Sequence, residues 1–288
     1  MSSTVIGRAA PPGVHLMSIN LRRRLPFARR QDRWAHREPL VAELLGAELP
    51  TILGVQEALP DQDAAVERAL GDGYSRIGRG RRADGSDERC SIHWDARRLE
   101  LEDWTQLALS TRPDRPGSRS WGAVFPRIAV IAEFRDRADG SRLTVINTHL
   151  DPFSGRARSE SARLLLAEAL RHGGAVAVMG DLNARQGSPA LRILQPGCAL
   201  RDSWAAADQR LTPAWRTHSG YRRPSIGPRI DWILVGPDLR VRSAAVNARR
   251  WGMRATSDHE AVQAVVEVAP SLGSRTFADE PERKRTER

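Results

Sequence analysis

Ionisable and amide side chains recur in this 288-residue chain at one kind of place, the end of a short apolar run. Asn20 closes VHLMSIN, Glu57 follows TILGVQ, His149 sits in NTHLDP, and Asp181 and Asn183 follow AVAVMG. Asp231 lies within RIDWILV, and Asp258 and His259 stand in SDHE just before AVQAVVEV. A carboxylate at 181 and an amide at 183, at the lip of a buried strand, share a rigid platform. Asp181 can orient a water or take its proton, and Asn183 can hold an oxyanion or a water through its amide. Oxygen ligands without thiolates suit a hard cation, Mg²⁺ or Mn²⁺, whose usual work is to clamp phosphate oxygens. Histidines beside carboxylates are held in one charge state and can donate to a phosphoryl oxygen. Gly-Asp-x-Asn alone is ordinary turn chemistry; its company gives it weight. The chain has no P-loop, no Cys/His zinc spacing and no serine elbow. Cys90 and Cys198 are too few and too scattered for a disulfide framework.

The elements that must position these groups are legible as apolar runs broken by Gly, Pro and Asx turns. Strands are expected at 14–20, 51–56, 74–80, 90–94, 127–134, 143–147, 175–179, 229–235, 241–246 and 261–268. Helices are expected from Pro39 to about Leu49, Asp61 to Leu70, Arg158 to Arg171 and Pro189 to Leu194. Residues 110–126 read as a long surface loop. No repeat, coiled coil or mid-chain linker divides the sequence, so one domain is expected over 14–269. A flexible arm (1–13) would precede it and a disordered, charged tail (270–288) would follow.

The ordered set MSIN, GVQEAL, NTHLDP, GDLNA, RIDWIL and SDHEAV resembles the endonuclease/exonuclease/phosphatase superfamily, which includes DNase I, exonuclease III-type nucleases, inositol-polyphosphate 5-phosphatases and neutral sphingomyelinases. Each motif is weak alone; six in order, from Val14 to Val268, are specific. The resemblance implies an α/β (α+β) fold, a four-layer αββα sandwich of two mostly antiparallel, DNase I-like sheets with the site at one end. It implies that Asn20 and Glu57 hold the catalytic Mg²⁺ (or Mn²⁺), with Asp258 nearby, in a second ion position if there is one. Asp181 would activate the water and Asn183 would fix it and the phosphate. His259, held by Asp231, would donate to the scissile phosphate. His149 would be a second phosphate-facing histidine, buttressed by Glu88 or by the adjacent Asp87. Arg127 would reach the phosphate or form a structural ion pair. His15, His36, His93, His172 and His218 read as surface or core residues.

The net charge of +10 favours a polyanionic partner, DNA or RNA, and so a nuclease. Lys284 is the only lysine, an arginine bias that weakens the inference without removing it. The arginines at 22–24, 29, 30, 33 and 37 form either a solvated face or a phosphate-binding rim. Arg22 stands where repair nucleases of the resembled group carry an acidic residue, and His149 where they carry Tyr. Both departures speak against an abasic-site enzyme. A small phosphorylated molecule or lipid headgroup is the alternative substrate, and a non-catalytic polyanion-binding module the remote one. No run approaches a membrane span, and neither a secretory signal nor an apolar hairpin is legible. The expectation is a soluble, cytoplasmic monomer.

Overall fold

The computed structural model describes residues 4–269; the charged tail expected at 270–288 lies outside the described residues. In chain order the strands are β1 Val14–Asn20, β2 Ile52–Gln56, β3 Tyr74–Ile77, β4 Ile92–Asp95, β5 Leu99–Ala108, β6 Ile128–Asp136 and β7 Arg142–His149. There follow β8 Val176–Asp181, β9 Arg201–Asp202, β10 Gln209–Arg210, β11 Asp231–Val235, β12 Leu239–Asn247 and β13 Ala261–Val268. The helices are α1 Trp34–Glu48, α2 Pro60–Leu70, α3 Gly155–Arg171, α4 Pro189–Leu194 and α5 Ser203–Ala206.

Two sheets result, ordered β10-β12-β13-β1-β2-β4-β3 and β5-β6-β7-β8-β11-β9. Neighbours run antiparallel except β1–β2, β10–β12 and β7–β8. Side-chain alternation explains the layering. On β1, Val14 and Leu16 face the other sheet, while Met17 and Ile19 face α1 and α2. On β8, Ala177 and Met179 face inward, while Val176 and Val178 pack with residues of α3 and α4. One apolar layer thus lies between the sheets and one beneath each helix pair, giving the expected four-layer αββα sandwich.

Three expectations need correction. The helix marked by Pro39 begins five residues earlier, at Trp34, with Pro39 inside it. Trp34 and Arg37 are buried, and their anchoring outweighs the start signal a proline normally gives. Strand β5 was not expected; its sequence, LELEDWTQLA, is polar and half-exposed at a sheet edge. The N-terminal arm is not loose from residue 4 onward. The backbone amides of Val5, Ile6 and Gly7 donate to the buried Glu48 carboxylate at 2.8–3.0 Å.

Candidate active site

The inward parity of β1 and β8 carries past their last apolar residues and brings Asn20 and Asp181 face to face. Asn20 Nδ2 donates to Asp181 Oδ2 at 3.0 Å, across the two sheets. In the second sheet, ladder register sets His149 beside Asp181 and Asp181 beside Asp231, one row over three strands. Gly180 makes this possible. Its φ is +140°, and a Cβ there would lie 1.9 Å from the Thr148 carbonyl oxygen.

Glu57 has the wrong parity, since Leu53 and Val55 of β2 face the helices. Its backbone at φ +59° turns the side chain back to the site. There Glu57 accepts from Asn20 Nδ2 at 3.0 Å and from the Arg23 backbone N–H at 3.0 Å. Arg22 and Asn183, each two residues beyond a site strand, also have positive φ, so backbone strain gathers around the cleft.

His259 Nδ1 lies 2.9 Å from Asp231 Oδ2. The Nε2 atoms of His259 and His149 lie 3.8 and 3.5 Å from the same oxygen, Asp181 Oδ2. Burial works against charge on both imidazoles, yet their outcomes differ. For His259, Asp231 and then Asp181 overcome burial and raise the pKa to about 10. For His149, burial and then the Arg127 charge lower it to about 4. One histidine is therefore a cation at neutral pH and the other neutral. Burial and the Asp231 charge push the Asp181 carboxyl up. Burial acts the same way on Glu57, but His149, the Asn20 amide and the Arg23 N–H together hold it below its ordinary value. Asp258, despite burial, is drawn down to about 2 by His218, His259 and Arg22.

Glu57, His149, Asp181, Asp258 and His259 line a cleft of about 410 Å³ with Arg22, Arg23, Arg81, Arg127, Phe125 and Phe153. A model of the endonuclease/exonuclease/phosphatase family matches residues 17–259, a span that includes every residue of the row and its partners. The chain belongs to this family of phosphoric ester hydrolases. A Bacteroides thetaiotaomicron protein of the same family is 28% identical, with a TM-score of 0.83 over 91% of this chain and 100% of that one. The mannosyl-6-phosphatase of that organism is 29% identical, with a TM-score of 0.81 over 88% of this chain and 99% of its own. The human nocturnin catalytic domain, at 18% identity, shares the fold, with a TM-score of 0.69 over 90% of this chain and 95% of that domain. A search of curated proteins returns no match.

Enzymes of this family generally depend on a divalent metal, and the donor set here fits one. Carboxylates of Asp181, Asp231 and Asp258 crowd around His259, in two groups whose ligand atoms lie within 4.8 Å of one another. Asn20 and Glu57 add a carbonyl and a carboxylate oxygen, hard donors suited to Mg²⁺ or Mn²⁺. Asp258 shares the cleft, with Arg22 Nε and His218 Nε2 each 3.7 Å from its Oδ2.

One anticipated pairing fails. Glu88 does not buttress His149. Its carboxylate lies between Arg23 Nη1 at 2.6 Å and Arg81 Nη1 at 2.7 Å, two permanent cations that outcompete an imidazole. Asp87 likewise pairs with Arg81, at 3.1 Å. Burial and the Arg127 charge outweigh the nearby Asp181 and Glu57 carboxylates, so the pKa of His149 stays low. Asn183 commits Nδ2 to the Leu150 carbonyl at 3.0 Å, and its backbone N–H donates to Asp181 Oδ1 at 2.9 Å. Arg127 is buried at the cleft wall, 3.7 Å from Asp151, and its Nε lacks a hydrogen-bond partner among the described residues.

Two further residues belong here: His218, read as a surface or core residue, and Arg37, read as part of a solvated face or phosphate-binding rim. His218 stacks on His259, with ring centroids 4.7 Å apart. Arg37 is fully buried and donates to the carbonyls of Leu21, Arg22 and Thr256, joining the segment after Asn20 to the one before Asp258. Neither has a local signature; only the pairing of distant loops reveals them.

Proposed function

We propose that the chain hydrolyses a phosphoester by attack of a water activated at Asp181. The observation that carries this is the Asp181 carboxylate, set in its row between His149 and Asp231 with both histidine Nε2 atoms turned to one of its oxygens. Asn20 and Glu57 would hold a divalent cation, which when bound supplies positive charge against the phosphoryl oxygens. Asp181, its carboxyl raised by burial, orients the water and takes its proton. His259, cationic and steadied by Asp231, donates to the phosphoryl oxygen as charge builds there. His149 donates as a neutral imidazole, and Arg127 adds its positive charge from the wall.

The substrate reading is a small phosphorylated molecule or lipid headgroup. Glu88 lies between two of the four cleft arginines and lowers the positive charge of the cleft floor itself. The 29%-identical relative is a sugar-phosphate phosphatase by name. A nuclease is the second reading, favoured by the +10 net charge. The test is a panel of sugar phosphates, phosphorylated headgroups and single- and double-stranded oligonucleotides, each with Mg²⁺, with Mn²⁺ and after chelation. Chelator-sensitive release from a compact substrate is expected. Cleavage confined to oligonucleotides selects the second reading, and hydrolysis that survives metal removal overturns the mechanism.

A further inference from the structure

Nine large apolar side chains stand exposed among the described residues, and seven of them occupy loops at the site end. Leu25 and Phe27 follow β1, Val124 and Phe125 precede β6, and Phe153 follows β7; Ile226 precedes β11 and Met253 precedes β13. Phe27 is fully exposed, and Ile226 and Met253 are more than 70% exposed. Apolar exposure gathered at one end of a molecule marks an interaction surface.

The same loops carry the charge. Residues 21–33 hold six arginines and one aspartate, 109–127 four and one, and 211–230 four and no acid. These three loops alone exceed the net +10 of the whole chain. Much of the positive charge therefore lies in loops at the site end. The loops are also stapled to one another. Tyr221 donates to Asp32 at 2.6 Å, Arg250 to the Arg222 carbonyl at 2.9 Å, and Ser154 to the Trp121 carbonyl at 2.8 Å.

We infer that this rim seats the protein on an anionic lipid surface, with the cleft facing the headgroups. Arginines attract the surface charge, and the apolar side chains between them enter the boundary of the acyl chains. A nucleic-acid strand fits less well. Phe27, Phe125 and Phe153 offer faces on which a base can stack, but Leu25, Val124, Ile226 and Met253 do not, and phosphate contacts gain nothing from them. The inference concerns adsorption and stands whether or not the proposed chemistry is right.

The test uses the full chain carrying Asp181→Asn, so that binding is read without turnover. It is sedimented with vesicles of phosphatidylcholine alone, or of phosphatidylcholine with about a third phosphatidylserine. Binding is expected to the mixed vesicles only, weakened by salt. Adding Phe27→Ser, Ile226→Ser and Met253→Ser keeps every charge and lies outside the cleft lining. These changes should weaken vesicle binding at least about tenfold and leave affinity for a single-stranded oligonucleotide unchanged. Absence of binding to the mixed vesicles overturns the inference. So does equal binding by the serine variant, or a parallel loss of oligonucleotide affinity, which would assign the rim to nucleic acid. Because all three side chains point into solvent, an unchanged thermal midpoint will verify that the fold is intact.

Discussion

Among the described residues, two clusters of buried aspartate, histidine and arginine differ in how their charges are answered. At Asp63, behind β4, a single carboxylate receives His93 at 3.0 Å, Ser91 at 3.0 Å, Arg89 at 2.9 Å and Arg76 at 3.0 Å. Burial would raise its pKa, but these donors together lower it. The Asp63 charge is answered by two arginines. At the strand ends the proportions reverse, with Glu57, Asp181, Asp231 and Asp258 gathered around His149, His218 and His259 beside a cleft. The first cluster has spent its electrostatics on holding α2 to the sheet. The second retains unanswered charge, which is what an ion and a phosphoester require.

The comparison breaks if exchanging one carboxylate in each cluster has the same consequence. Asp181→Asn should lower single-turnover hydrolysis by at least about 10²–10⁴-fold, while shifting unfolding free energy in urea by less than about 1 kcal/mol. Asp63→Asn should do the opposite, costing about 3 kcal/mol of stability with normal turnover per folded molecule. Next in size, His259→Ala should approach the Asp181→Asn defect. Asp231→Asn should be milder, since it disturbs the charge and orientation of His259 without deleting it. A harmless Asp231→Asn beside a dead His259→Ala would mean that Asp231 does not act through the imidazole.

A smaller effect tests the unanswered charge directly. Saturating Mn²⁺ should raise the thermal midpoint of the wild type by several degrees, since a ligand well above its Kd adds about 2–3 kcal/mol. Glu57→Gln should lose most of that rise, and Asp63→Asn none of it. The smallest effect concerns protons. Burial lowers His15 from 6.5 to about 4 and His149 likewise. The unfolded imidazoles take protons first, so stability present above pH 6.5 is lost as the pH falls towards 4. In metal-free buffer, urea midpoints across that window should fall with acid, and His15→Asn should about halve the slope. An unchanged slope would remove His15 from the account.

The sequence made most of this legible, for a physical reason. A buried strand that ends in a polar residue announces both its burial and its terminus, so Asn20, His149, Asp181 and Asp231 could be read together with the elements that carry them. Glu57 reaches the cleft although its parity along β2 is wrong, because a positive φ that no spacing along the chain announces turns its side chain back. The edge strand β5 was missed because exposure strips away the apolar pattern. The partners of Glu88, the burial of Arg37 and the position of His218 all depend on which loops meet, and spacing along the chain carries no trace of that.

Beneath the site, Asn147 of β7 accepts from Gln56 of β2 at 2.7 Å and donates to the Val55 and Ser91 carbonyls. Gly54 lets the sheets close there; a Cβ would meet Met179 at 2.7 Å and Asn147 at 2.8 Å. Half of the site hangs from each sheet, so this contact works as an alignment pin between two halves of a machined part. Wear at the pin would show at the jaws: a methyl group added at Gly54, remote from any substrate, should misregister Glu57 against Asp181 before it unfolds anything.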